Sequence, residues 1–222
     1  MLADIAGKPM IAHVVDRANE SCAKQIVVAT DSAEIASALH DSDCEVCMTR
    51  EDHETGSDRL QEVVQQLDLA NDEVVVNVQG DEPLIPAKLI EQVADALQSD
   101  TAASMSTAAK MLDPNDIDDP NIVKVVFARN GRALYFSRAP IPYARDQRYA
   151  SAWHHIGIYG YRAGFLRNYD QLHESPIERT ESLEQLRALD NGYIIRVETV
   201  DYETGVGVDT PEDLEKIRSM MT

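Results

Sequence analysis

The chain has 222 residues, 44% hydrophobic and 27% charged, values of an ordinary globular protein with room for one large domain or two small ones. Its net charge of −19 argues against a nucleic-acid polymer as partner, because gripping a phosphate backbone needs clustered Lys and Arg. A small phosphorylated ligand stays open, since it needs only a local basic pocket or a metal ion. No apolar run approaches the roughly 18 residues of a membrane span, and the N-terminal stretch lacks a signal-peptide core, so the expected location is cytoplasmic.

In chain order, Met10–Asn19 has the spacing of an amphipathic helix with Ile11, Val14, Val15 and Ala18 on one face. Gln25–Thr30 reads as a short buried strand, and Asp31 or Ser32 is placed to cap a helix that turns Ile35, Ala36 and Leu39 inward. Glu45–Met48 is the next apolar run, followed by the polar loop TREDHETGSD. The stretch 58–69 is helical by spacing, 73–79 is a strand, and Pro86–Leu97 is a helix with proline in its first turn. Cys44 and Cys47 have C-x-x-C spacing, but residues three apart on a strand face opposite ways and no second pair completes a zinc site. Packing, rather than redox or metal chemistry, is the expected use of the cysteines.

The second half changes character. Val123–Phe127, Arg132–Phe136 and Ile156–Tyr161 read as strands, the first two forming a hairpin with Asn130-Gly131 at its tip. Helices are expected at 163–170 and 181–190, then a strand at 193–200. A last helix opens at Asp209-Thr-Pro, with Asp209 or Thr210 as cap and Pro211 in the first helical position. The βαβα rhythm predicts an α/β fold: Rossmann-like, doubly wound, with a mostly parallel mixed sheet. The whole chain, 1–222, reads as a single domain with an inserted antiparallel lobe at 120–161.

In such sheets ligands sit outside the carboxyl ends of the strands. That rule points to Thr30–Asp31, Thr49–Arg50 and, most of all, VVVNVQGDEPLIP at 74–86, where an apolar strand runs out into Gly80, Asp81 and Glu82. Gly80 would supply a positive φ and Pro83 would stop the strand, which explains a turn but not two adjacent acids. A second candidate is Asp209 in TGVGVDTPEDL, where Gly205 and Gly207 allow close backbone approach. Two aspartates from distant segments can share a hard cation such as Mg²⁺ if the fold brings them together. Either can equally be a turn or cap residue.

The strings MTREDHETGSDRL (48–60), VVNVQGDEPLIP (75–86), YFSRAPIP (135–142), HIGIYGYR (155–162), LEQLR (183–187) and GVDTPEDL (207–214), in unbroken order, resemble the 3-deoxy-manno-octulosonate (Kdo) cytidylyltransferase family, the CMP-Kdo synthetases. The resemblance implies a nucleotide-diphospho-sugar transferase type of fold and transfer of CMP from CTP to the sugar acid Kdo for lipopolysaccharide synthesis, with release of pyrophosphate. It implies that Asp81 and Asp209 are catalytic and hold Mg²⁺. It implies that Met48, Thr49, Arg50, Gly56 and Ser57 receive cytosine and ribose, and that Arg59, Gln79, His155, Tyr159, Glu184 and Gln185 line the sugar-acid pocket. An arginine suits a carboxylate through a forked pair of hydrogen bonds. On residue type alone, Arg59 and Glu184 are equally surface charges, His155 a structural histidine and Tyr159 plain core. Arg138 is ligand-facing or dimer-facing, and Glu82 has no assigned role. The family implies a homodimer, with the inserted lobe at the interface.

Family members open with an apolar strand and a basic loop of the type PAR-x-x-S-x-R-L-P-G-K-P that grips the triphosphate. This sequence opens MLADIAGKPM, which matches the segment just after that loop. The expectation is a truncated form of a real enzyme. The alternatives are an inactive relative acting as a binding or regulatory subunit, or a cytidylyltransferase for another sugar acid such as a sialic acid. A dinucleotide-dependent oxidoreductase is disfavoured, since no G-x-G-x-x-G follows any strand.

Overall fold

Most elements expected from hydrophobic spacing are present with ends shifted by a few residues. The computed structural model describes residues 1–53, 55–145 and 152–221. The order is β1 (Asp4–Ile5), β2 (Lys8–Pro9), α1 (Met10–Asn19), β3 (Val27–Thr30), α2 (Ala33–Ala38), β4 (Glu45–Met48), α3 (Gly56–Gln66), β5 (Val74–Asn77), α4 (Ala87–Ser99), β6 (Met105–Met111), β7 (Lys124–Phe127), β8 (Ala133–Ser137), β9 (Trp153–Arg162), α5 (Ala163–Leu166), α6 (Pro176–Glu181), α7 (Gln185–Asp190), β10 (Ile195–Val200) and α8 (Pro211–Met220). The chain divides into two units, one of Met1–Leu69, Asn77–Glu91 and Glu203–Thr222, the other of Ala70–Val76 and Gln92–Tyr202. No helix among the described residues is long and apolar enough to cross a membrane.

In the first unit α1 buries Ile11, Val14, Val15 and Ala18, the face its spacing predicts. Its core also takes Leu39, with Ile26, Val28, Ile35, Val46 and Val78 packed around it. The strands β3 and β4 pair in parallel from Val27↔Glu45 to Thr30↔Met48. Cys44 and Cys47 are free; Cys44 packs against this core and Cys47 is buried, and burial raises both thiol pKa values. A second cluster joins Ile5, Met10 and Ile217 with Leu214, Val206 and Val208, so α8 is anchored by its apolar side.

The second unit is built on a mixed sheet ordered β10-β6-β9-β7-β8, with β5 also paired to β9. The strand β6 runs parallel to β10 and antiparallel to β9. The hairpin β7–β8 turns at Gly131, with φ of 78°, as the Asn-Gly signal predicts. Of the lobe expected at 120–161, residues 146–151 lie outside the described residues.

Two expectations need correction, and one strand was not expected. The strand β6 was not legible, because SMSTAAKM is small and weakly hydrophobic; it is a strand because Ala108 and Ala109, with no exposure, fit between two neighbours. The helix expected at 181–190 begins instead as α7, because Ser182 takes the left-handed conformation (φ 52°) and ends α6. The helix at 163–170 stops at Leu166, and a 3₁₀ turn at Tyr169–Gln171 follows.

Two open capping questions are also settled. Ser32, not Asp31, accepts from Ile35 N at the start of α2. Thr210, not Asp209, caps α8 in a reciprocal box with Asp213, and Pro211 takes the first position. Replacing Thr210 by Ala is expected to cost about 1 kcal/mol, the usual worth of an N-cap. The check is urea unfolding; an unmoved midpoint would mean that the box contributes nothing to α8.

Candidate functional site

In the first unit the chain leaves β5 and turns through Gln79–Glu82, with Glu82 N donating to Gln79 O at 3.2 Å. Gly80 does not adopt the positive φ expected of it. It is closely packed instead: a Cβ there would stand 2.6 Å from Met1 Sδ and 2.9 Å from Ile11 Cδ1, so those two side-chain ends would have to shift. The segment 204–209 lies against this turn, and Val208 N donates to Asp81 O at 2.9 Å. Gly205 (φ 89°) passes so near that a Cβ would sit 2.9 Å from Leu84 O, and a Cβ on Gly207 would meet Glu82 Oε1 at 3.1 Å. These two glycines are what allow Asp209 to reach the turn that carries Asp81.

The outcome is a concentration of negative charge. Glu82 is pushed up to about 7 by burial and by the charges of Asp81 and Asp209. The Oδ1 atom of Asp81 is buried and has no hydrogen-bond partner. None of the three carboxylates has an ion-pair partner among the described residues. A buried carboxylate oxygen without a donor is costly unless a ligand completes it. The donor set is all oxygen, which suits a hard divalent cation. Among the described residues no group of three or more His, Cys, Asp or Glu is arranged to hold a metal alone. A cation here would take carboxylates from Asp81 and Asp209 and complete its shell with water and ligand oxygens, the habit of Mg²⁺.

A second group lies at the carboxyl ends of β3 and β4, where Thr49 N extends the ladder to Thr30 O at 2.9 Å. Because Ser32 serves as the cap, the Asp31 carboxylate is available, and Arg59 Nη2 donates to it at 2.7 Å. This bond holds the Asp31 carboxyl below its ordinary range. The other guanidinium nitrogen donates to Thr49 Oγ1. Arg59, expected against a sugar-acid carboxylate, is thus engaged by Thr49 and Asp31. Met48 is exposed, Thr49 and Ser57 are buried, and Arg50 extends to an exposed pairing with Asp52. Gly56 opens α3, capped by Thr55 and Asp58, and a Cβ there would meet nothing within 4 Å.

In the second unit a bulge interrupts the β6–β9 register after Thr107. Thr107 answers it: its hydroxyl lies 2.7 Å from Ile158 O and 2.9 Å from His155 Nε2. If the hydroxyl proton goes to a carbonyl, of Ile158 or of Ile156 at 3.1 Å, His155 donates from Nε2 and leaves Nδ1 as an acceptor. Burial, and secondarily His154, push His155 down to about 3, so the ring is neutral. It packs edge-on to Phe136 and lies 5.4 Å from the Tyr159 ring. Burial first, then Tyr161 and the charge of Glu184, hold the Tyr159 hydroxyl protonated. Gln185 is buried, and its Nε2 has no hydrogen-bond partner. His155, Tyr159, Glu184 and Gln185 are therefore one neighbourhood of the second unit, whereas Arg59 and Gln79 belong to the first.

Arg138 is held by bonds within its own chain. It donates to Glu181 O at 2.8 Å and Pro120 O at 3.0 Å, closing the end of α6, and its own N–H goes to Glu181 Oε2. Residue type gave no hint of this, because carbonyl acceptors leave no trace in sequence.

The chain is similar to known cytidylyltransferases. The family model described as Cytidylyltransferase matches residues 1–200. The chain is 51% identical to the 3-deoxy-manno-octulosonate cytidylyltransferase of Polynucleobacter asymbioticus, over 99% of this chain and 88% of that protein. It is 48% identical to the enzyme of the same name from Pasteurella multocida, over 99% and 91%. This chain belongs to the cytidylyltransferase family. Among solved structures, a CMP:2-keto-3-deoxy-manno-octonic acid synthetase complexed with CTP superposes with a TM-score of 0.94 at 43% identity, covering 99% of this chain and 90% of that one. The α/β architecture is thus that of a nucleotidyltransferase of this cytidylyltransferase type.

The charge at Glu82 leads to a measurable consequence. Its folded pKa is raised, so the folded state holds this proton more tightly than the unfolded chain does. The stability it contributes is present below about pH 4.5 and is lost as pH rises through about 7. His155 works oppositely, its contribution being lost as pH falls from about 6.5 toward about 3, so the comparison must be between variants. In metal-free protein, Glu82→Gln is expected to gain stability relative to the parent between pH 5 and pH 7.5. Parallel urea curves for the two proteins across that range would exclude a raised Glu82.

Proposed function

We propose that this protein is a nucleotidyltransferase that transfers CMP from CTP to Kdo, forming CMP-Kdo and pyrophosphate. The anomeric hydroxyl of Kdo attacks the α-phosphorus of CTP; the new O–P bond forms as the bond to pyrophosphate breaks. Little covalent chemistry is asked of the protein, so its contribution is positioning and charge. The observation that carries the reading is the unpartnered, buried Asp81 oxygen beside Asp209, in a chain of this family.

Asp81 and Asp209 would hold Mg²⁺. A bound Mg²⁺ supplies charge neutralisation for the triphosphate and the approaching sugar acid. Met48, Thr49 and Arg50, with Gly56 and Ser57 at the start of α3, receive cytosine and ribose, and the open space beyond Gly56 supports that use. His155 offers Nδ1 as an acceptor and Tyr159 a protonated hydroxyl as a donor to sugar hydroxyls. The amide of Gln185 brings a donor left without a partner inside the protein. Glu184 accepts from further hydroxyls. Gln79 contacts the sugar acid, and Arg59 attracts its carboxylate while bound to Thr49 and Asp31.

The product serves lipopolysaccharide synthesis in the cytoplasm, and the protein works as a homodimer through the lobe at 120–161. Leu134 and Tyr143, both large and exposed on that lobe, support its use for self-association.

The test is pyrophosphate release by the full-length protein given CTP, Kdo and Mg²⁺. Release should require all three, and Asp81→Asn or Asp209→Asn should each lower turnover by roughly 100-fold or more, the scale of losing one preorganised charge-stabilising group. No release from the parent protein would sink the transferase reading. Full turnover by either variant would remove that residue from the metal site.

A further inference from the structure

The loop TREDHETGSD has the composition of a solvated connection, yet α3 holds it at several points. Arg59, Glu62 and Gln66 recur at helical spacing and share one face of α3. Glu62 Oε2 accepts from the backbone N–H of Arg50 at 3.1 Å and lies against His53 Nε2, a ring whose side chain is only 5% exposed. Glu62 Oε1 accepts from Gln66 Nε2 at 2.8 Å. That same Nε2 donates to Met48 O at 3.1 Å, while Cys47 Sγ donates to Gln66 Oε1 at 3.3 Å and fixes the amide's orientation. Arg59, on the same face, holds the Thr49 hydroxyl. Every residue from Cys47 to Arg50, and then His53, is therefore attached to one side of α3.

We propose that Glu62 is a positioning residue for the nucleotide pocket: it sets the backbone of Met48–Arg50 through the Arg50 amide, His53 and Gln66. The proposal rests on the assignment of that segment to cytosine and ribose. Glu62 is suited to the role because one carboxylate takes two bonds on Oε2 and one on Oε1. Its own charge is supported by His53 first and the Arg50 amide second, and both hold its carboxyl below the ordinary range. Without Glu62 a buried ring and a backbone amide lose their acceptor together, and Gln66 loses the contact that steadies it against Met48. Such a change moves the segment rather than removing a ligand group.

The experiment compares the full-length parent with Glu62→Ala. Affinity for CTP is measured by calorimetry, KM values for CTP and Kdo by pyrophosphate release, and exchange of the Arg50 amide by mass spectrometry. The expected result is a CTP Kd and KM raised roughly tenfold or more, the scale of a small misplacement of a binding segment. The KM for Kdo and kcat should stay within about twofold, a split that a merely structural role would not produce, and the Arg50 amide should exchange faster. If Glu62→Ala does not fold, Glu62→Gln, which keeps one acceptor oxygen, replaces it with the same readouts. A CTP affinity unchanged in a folded variant, or KM values for CTP and Kdo that rise together, would overturn the proposal. Absence of turnover in the parent defeats the transferase reading instead, and CTP affinity then decides the role of Glu62 by itself.

Discussion

Three carboxylates, of Asp81, Glu82 and Asp209, stand close enough to raise the pKa of Glu82, and no positive side chain among the described residues offsets them. Proteins pay electrostatically for such crowding, and the arrangement persists only because the backbone forces it. Val208 binds Asp81 O, and Gly205 and Gly207 admit the approach that a side chain would block. Glu82, the residue without an assigned role, accommodates part of the strain by holding its proton up to about pH 7. Asp81, with a buried oxygen that nothing satisfies, keeps its demand for a cation or donor.

The same logic governs the carboxyl ends of β3 and β4. At both sites an aspartate is followed by a hydroxyl residue that takes over the helix cap, Ser32 after Asp31 and Thr210 after Asp209. Transferring the cap by one residue releases each aspartate for other work. Asp31 spends it on Arg59, and Asp209 contributes to the acidic group. In the second unit the sugar-acid candidates are uncharged where buried: a neutral His155, a protonated Tyr159 and the Gln185 amide. Neutral, directional groups suit a polyhydroxylated ligand better than a further set of charges in an already acidic protein.

Legibility followed the strength of local signals. The helix α1 was readable to the residue, because four apolar side chains at helical spacing all turn to one core. Short strands such as β4 were readable from apolar runs bounded by polar residues. The strand β6 was not, because its alanines, serine and threonine carry almost no hydrophobic signal and are buried only by their two neighbours. The break at Ser182 was hidden because a serine rarely adopts a positive φ, and its φ of 52° depends on the surrounding packing. Glu62 and Arg138 bind backbone atoms that sequence does not display.

By itself, then, the sequence determined the kind of chain this is: acidic, α/β, with carboxylates placed at a strand exit and before a terminal helix, and motifs in an order that pointed to one family. Those features are local, written in spacing, turn residues and contiguous strings. Only the tertiary structure decided which of those residues act together. Asp81 and Asp209 are 128 positions apart (209 − 81 = 128), and glycine-permitted backbone approach joins them. Arg59 went to Asp31 and Thr49, and Arg138 to carbonyls, because hydrogen bonds are allotted by distance in space.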